Sequence, residues 1–217
     1  MTLRSTVGTF LLLVVVGFLF WYAAPLQELF FDAVSLLEHF DENDHLIAVF
    51  IFVGLSAAAA LLGPVGIAPL APPAVALWGS TETFVWILLG WLIGGFVSYG
   101  LGYWGGYPLL KFFLSERHAQ IAERFIQRRV PFGVVLLGRL ALPAELLGYG
   151  LGVVRYPLGL FALATVIAEI VFALLTVYAG QAFITQNTTL FVILIGVALL
   201  IVGISFWWLK KRHRILE

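Results

Sequence analysis

The chain of 217 residues is 62% hydrophobic and 11% charged, with a mean hydropathy of +1.04, far from the roughly one-quarter charged composition of soluble domains. Its formal net charge is zero and it contains no cysteine, which excludes disulfides, thiolate chemistry and cysteine metal sites. These values describe an integral membrane protein, and the spans read below make its expected class all-α.

The charge is unevenly distributed. No Lys or Arg lies between Arg4 and Lys111, while Glu28, Asp32, Glu38, Asp41, Glu42, Asp44 and Glu82 all fall in that span, and eleven basic residues follow from Lys111 onward. Basic residues beside membrane spans collect on the cytoplasmic side, so the split reports topology and gives no reason to expect a nucleic-acid partner. The histidines at 39, 45, 118 and 213 all lie in polar flanks; neither a metal site nor a cofactor is expected at membrane depth.

Residues 7–24 form an apolar run ending in Trp21 and Tyr22. The Ala-Ala-Pro that follows is a poor cleavage site, which favours a retained spanning helix over a signal peptide. Residues 25–44 set Leu26, Leu29, Phe30, Ala33 and Leu37 at helical spacing opposite Glu28 and Asp32, the pattern of an interfacial helix. Residues 45–79 are apolar but interrupted by Gly63, Pro64, Pro69, Pro72, Pro73 and Gly79. A full crossing there would place the basic segment 111–129 outside, against the positive-inside bias; a re-entrant hairpin keeps it inside and is the predicted form.

A spanning helix is predicted over 84–107, followed by a basic interfacial helix over 115–129 resting on the anionic inner leaflet. Residues 130–152 are again apolar and broken and read as a second hairpin, approached from the cytoplasm. A helix over 158–180 runs outward, and the C-terminal unit 188–217 returns inward through Trp207 and Trp208 to the basic tail Lys210, Lys211, Arg212 and Arg214. The expected architecture is about four transmembrane helices and two opposed re-entrant hairpins, with interfacial amphipathic helices. It divides into an N-terminal unit 1–44, a core 45–182 and the C-terminal unit 188–217, with both termini cytoplasmic in a prokaryotic inner (plasma) membrane. The segments PPAVALWG (72–79) and PAELLGYG (143–150) share a proline, an aromatic and a closing glycine at equal spacing. Since the two hairpins are approached from opposite faces, this is the pattern of an inverted repeat whose broken helices meet near the midplane.

Within 138–152, GRLALPAELLGYGLG, Arg139 and Glu145 sit among apolar residues broken by Pro143, Gly148, Gly150 and Gly152. Ionisable groups at membrane depth face a cavity or a partner, and irregular backbone survives there only where protein or water satisfies it. This stretch is therefore the first candidate for the working part of the molecule.

The segment GGFVSYGLGYWGG (94–106) resembles the G-D-x-x-x-Y-x-x-G-R-x-x-G motif of the DedA family, also called the SNARE-associated or VTT-domain family. Gly138 and Arg139, then Pro143, Gly152, Pro157 and Phe161, resemble its second motif, and the likeness extends over roughly 64–180. Gly95 stands where the family often has an acid and Tyr103 where it often has a base. The resemblance implies lipid translocation, with undecaprenyl phosphate or phosphatidylethanolamine as the cargo and proton coupling in some members.

A guanidinium suits a phosphate head group because its planar donors match phosphate oxygens and it stays charged, so Arg139 is the expected ligand, with Glu145, Pro143 and Gly152 beside it. Glu169, isolated in the middle of its predicted span, is expected to be protonated or paired with Arg139 and is a candidate proton carrier together with Glu145. Arg155 reads as an inner-face anchor, and Tyr99, Gly102 and Gly106 as helix-packing residues. There is no Gly-x-Ser-x-Gly or His-Glu-x-x-His element, and the Asp residues are confined to positions 32, 41 and 44, so a transporter of membrane phospholipid or undecaprenyl phosphate is expected rather than an enzyme. The bilayer is its medium, and self-association to a homo-oligomer is compatible with the sequence.

Overall fold

The computed structural model describes residues 44–62, 70–113, 130–142 and 144–213, with Ser35 and His39. The predicted helix at 7–24, most of the acidic segment 25–44, residues 63–69, Pro143, the basic segment 115–129 and residues 214–217 lie outside them. The described residues are all-helical: α1 (His45–Leu62), α2 (Ala71–Phe113), α3 (Phe132–Ala141), α4 (Ala144–Val153), α5 (Leu158–Ile184) and α6 (Thr188–His213). Three of these are long and apolar enough to cross a membrane, over Ala71–Gly105, Leu158–Ile184 and Thr188–Leu209.

The largest difference from the sequence expectation is in α2. The predicted hairpin arm up to Gly79 and the predicted span over 84–107 are one helix of 43 residues. Pro72 and Pro73 open that helix, where the first N–H groups have no partner within the helix and a missing donor loses nothing. Gly79 lies inside it at φ +76, a left-handed conformation that only glycine adopts without strain, so the break read from the sequence persists as a local distortion rather than an end. In α5 the helix runs to Ile184 instead of stopping at Gly180, because a glycine inside a long apolar run with tertiary packing lowers helix stability without ending it.

α2 is the central helix, packed against α1, α4 and α5. Helices in lipid gain little from hydrophobic burial and associate through close packing, and α2 achieves this with glycine. Gly90 and Gly94 face the α1 backbone at Val53 and Ala57, and Gly102 faces the backbone of Tyr149 on α4. From the other side, Gly148 meets Ser98 and Gly152 meets the Tyr99 carbonyl. α2 and α4 thus present bare backbone to each other, with no room for a Cβ at either end of the contact. Between α1 and α2, His45 Nε2 hydrogen-bonds the Glu82 carboxylate at 3.0 Å, and the Trp86 indole donates to the same carboxylate.

Two apolar clusters lie along α2. One joins Phe52, Ala74, Ile87, Ala173 and Val177 of α1, α2 and α5. The other joins Tyr99, Val135, Leu151, Phe161 and Ala164 of α2, α3, α4 and α5. Helix α6 packs on α3 and α5 and leaves Val192, Leu199, Ile204 and Trp207 exposed, as a face toward lipid requires.

The close approach of α2 and α4 predicts a contrast between neighbouring glycines. Gly152→Ala drives a methyl into the Tyr99 carbonyl, whereas at Gly150 nothing lies within 4 Å. In detergent, Gly152→Ala should lower unfolding stability by about 1–3 kcal/mol as overpacking does. Gly150→Ala should be neutral or raise it, by up to about 1 kcal/mol through helix propensity. Equal effects in thermal or denaturant unfolding would contradict this packing.

A candidate site around the buried Arg139

The site begins with a chain break. Leu142 is extended, at φ −118 and ψ 156, as the residue before a proline must be, and it ends α3. The helices on either side have 10 residues each, about 15 Å of rise, roughly half the ~30 Å hydrocarbon core. Arg139 therefore lies in the last turn of α3, where the helix dipole favours a cation. Glu145 lies in the first turn of α4, where the dipole favours an acid.

Arg139 is 2% exposed and its side chain is fully enclosed. Nη1 donates to the Ala144 carbonyl at 3.0 Å, and Nη2 donates to the Thr165 hydroxyl at 2.7 Å. The Thr165 hydroxyl in turn donates a hydrogen bond to the Phe161 carbonyl. The guanidinium also stands over the Phe161 ring, 4.8 Å from its centroid. Glu169, buried on α5, has a carboxylate oxygen 3.7 Å from Nη1. That spacing is an ion pair but longer than the roughly 2.7–2.9 Å of a charge-assisted hydrogen bond. Nε has no hydrogen-bond partner among the described residues.

Of the residues singled out by sequence, Arg139 and Glu169 are brought together. Glu145 is not within ion-pair distance of Arg139 among the described residues. Gly152 lies in the α2–α4 contact against Tyr99, and Pro143 is outside the described residues. Composition and charge do not assign Thr165 and Phe161 to the arginine, but spacing marks them: Phe161, Thr165 and Glu169 recur every four residues and form one face of α5.

Tyr99 supports the same centre. Its hydroxyl donates to the Tyr156 carbonyl at 2.6 Å and its ring packs on Phe161 with centroids 4.5 Å apart. Tyr156 belongs to the turn that closes α4. There the Tyr156 N–H reaches the Leu151 carbonyl and the Arg155 N–H reaches the Gly152 carbonyl, a Schellman cap. The cap's left-handed position is held by Arg155, at φ 50, where glycine is usual; a non-glycine residue there costs about 1–2 kcal/mol. A second cap of the same form closes α5, with Gln186 at φ 52, and the Asn187 side chain then accepts from the Leu190 N–H to start α6.

The family profile of the VTT domain matches residues 64–182, more than half of the 217 residues. The chain belongs to the VTT-domain family, the DedA or SNARE-associated membrane proteins. No curated protein and no solved structure matches it. The matched stretch holds every residue of the Arg139 centre, and one departure from the family motif acquires a location. A Cβ at Gly95, where the motif often carries an acid, would stand 3.4 Å from Arg139 Nη2 and 3.3 Å from the Thr165 methyl. Glycine leaves that side of the guanidinium without a carboxylate, and the counter-charge in contact comes from Glu169 on another helix.

The buried pair can be tested by a double-mutant cycle. Removing one partner of a buried ion pair leaves an uncompensated charge and costs about 3–5 kcal/mol, while replacing both by apolar residues of similar size is close to neutral. Arg139→Met and Glu169→Leu should each destabilise the protein in detergent, Arg139→Met more because it also abandons Thr165 and the Ala144 carbonyl. The double variant should lose much less than the sum. Additive losses would show that the two side chains do not interact.

Proposed function

We propose that this protein moves a phosphate-headed lipid, such as undecaprenyl phosphate or phosphatidylethanolamine, across the membrane, with Arg139 as the group that receives the phosphate. The observation that carries the reading is a guanidinium buried beside a break between two half-length helices, one donor unpaired and its carboxylate at a long 3.7 Å. Phosphate oxygens at full hydrogen-bond distance compete well against such a carboxylate, because planar, bidentate, charge-assisted bonds are the stronger form. The arrangement is closed, so transport requires that the Arg139–Glu169 contact open and that the head group take the place of Glu169. Released from the guanidinium, Glu169 becomes a candidate proton carrier, with Glu145 nearby.

In this reading α3 and α4 form the cytoplasmic re-entrant hairpin, and α1 with the start of α2 its inverted counterpart, ending at the distorted Gly79. The protein resides in a prokaryotic inner membrane with both termini in the cytoplasm and moves the lipid without altering it covalently. A second reading is favoured by the complete enclosure of Arg139: the guanidinium staples α3, α4 and α5 in a non-transporting assembly factor.

Reconstitution separates the two. In proteoliposomes containing labelled phosphate lipids, Arg139→Ala should still insert but translocate at least about a hundredfold more slowly, the loss of roughly two charge-assisted hydrogen bonds. Wild-type translocation by this variant, or none by the wild-type protein with either lipid, would overturn the transport reading.

A further inference from the structure

Arg139 is not the only arginine attached to the aromatic residues of this region. The guanidinium of Arg155 stands over the Tyr103 ring, 5.1 Å from its centroid. Tyr103 stacks on Tyr99 at 6.2 Å, with the rings within 24° of parallel. Tyr99 packs on Phe161, and Phe161 carries Arg139. Three rings thus form a continuous row from an exposed arginine at the surface turn to the buried one in the core.

The two ends differ in the way that an outer and an inner contact should. Arg155 is exposed, its face rests on Tyr103, and among the described residues its N–H edge has no hydrogen-bond or ion-pair partner. It occupies a left-handed backbone position that glycine fills without strain, and residues held in strained conformations concentrate at functional sites. Leu101 and Trp104, next to Tyr103 along α2, and Leu158, three residues after Arg155, are 46%, 83% and 54% exposed. A guanidinium edge on segments that expose apolar side chains is complementary to a molecule that carries a phosphate on hydrocarbon chains.

We propose that Arg155 on its Tyr103 platform is a second lipid site that captures the phosphate head group at the surface, at the outer end of the row of rings whose inner end is Arg139. This rests on the transport reading of Arg139, and it assigns Arg155 to capture and not to the transfer step itself.

The test uses the backbone strain. Glycine, and to a lesser degree asparagine, accepts the left-handed conformation, so Arg155→Gly and Arg155→Asn remove the guanidinium without disturbing the cap. Initial translocation rates of the full chain in proteoliposomes are measured against the mole fraction of labelled phosphatidylethanolamine. Both variants should melt at or above the wild-type temperature in detergent while the half-saturating lipid fraction rises about tenfold, the loss of one charge-assisted contact, with the maximal rate nearly unchanged. Arg155→Lys should recover part of the shift, since it keeps the charge without the planar fork. A wild-type half-saturation in both Arg155→Gly and Arg155→Asn, with Arg139→Ala inactive, would overturn this proposal alone. Activity retained in Arg139→Ala would overturn the reading beneath it.

Discussion

A guanidinium fully enclosed between helices is the constraint on which the rest of this structure depends. A buried charge left without partners is costly. Three groups from two helices therefore converge on it: the Ala144 carbonyl from the start of α4, and Thr165 and Glu169 from one face of α5. Phe161 from the same face supplies the ring beneath it. Of these partners the Ala144 carbonyl lies beside the Leu142 break, and the others come from the first half of α5. The break is thus where α4 makes its carbonyl available to the arginine, not a defect in an otherwise ordinary helix.

The glycines complete this arrangement from α2. Ser98 bonds to the Gly95 carbonyl and meets Gly148, Tyr99 meets Gly152, and the Tyr99 ring holds Phe161 in place. The close α2–α4 packing and the arginine centre are therefore linked through consecutive residues of one helix. A change that separates α2 from α4 will displace Tyr99, and with it the aromatic floor of the site. The membrane environment sharpens this dependence, because close packing is what holds the helices together.

Much of this centre is legible in the sequence. Charges in apolar runs single out Arg139, Glu145 and Glu169, and the Pro143 signal marks the break at Leu142. The resemblance to the DedA family is borne out by the VTT-domain match. What is not legible is which acid contacts Arg139. Glu145 is nearer in sequence, but the choice depends on how α3 lies against α5, and that is set by long-range packing. The partners Thr165 and Phe161 are hidden because their types are ordinary in membrane helices; only their four-residue spacing from Glu169 marks them. In α2 the prolines and Gly79 read as the turn and arm of a re-entrant hairpin because sequence punctuation does not distinguish a helix start from a turn. The prolines occupy the one part of a helix that tolerates them, and tertiary packing carries the helix through Gly79.

The most direct measurement is a through-space contact between lipid phosphorus and arginine nitrogen. Protein labelled with ¹⁵N-arginine and reconstituted with phosphatidylethanolamine or undecaprenyl phosphate would be examined by ³¹P–¹⁵N magic-angle-spinning NMR. A phosphate that reaches the buried guanidinium gives a correlation to an arginine side chain that disappears in Arg139→Lys. Absence of any arginine–phosphorus correlation, or one that survives Arg139→Lys unchanged, would contradict the role given to Arg139.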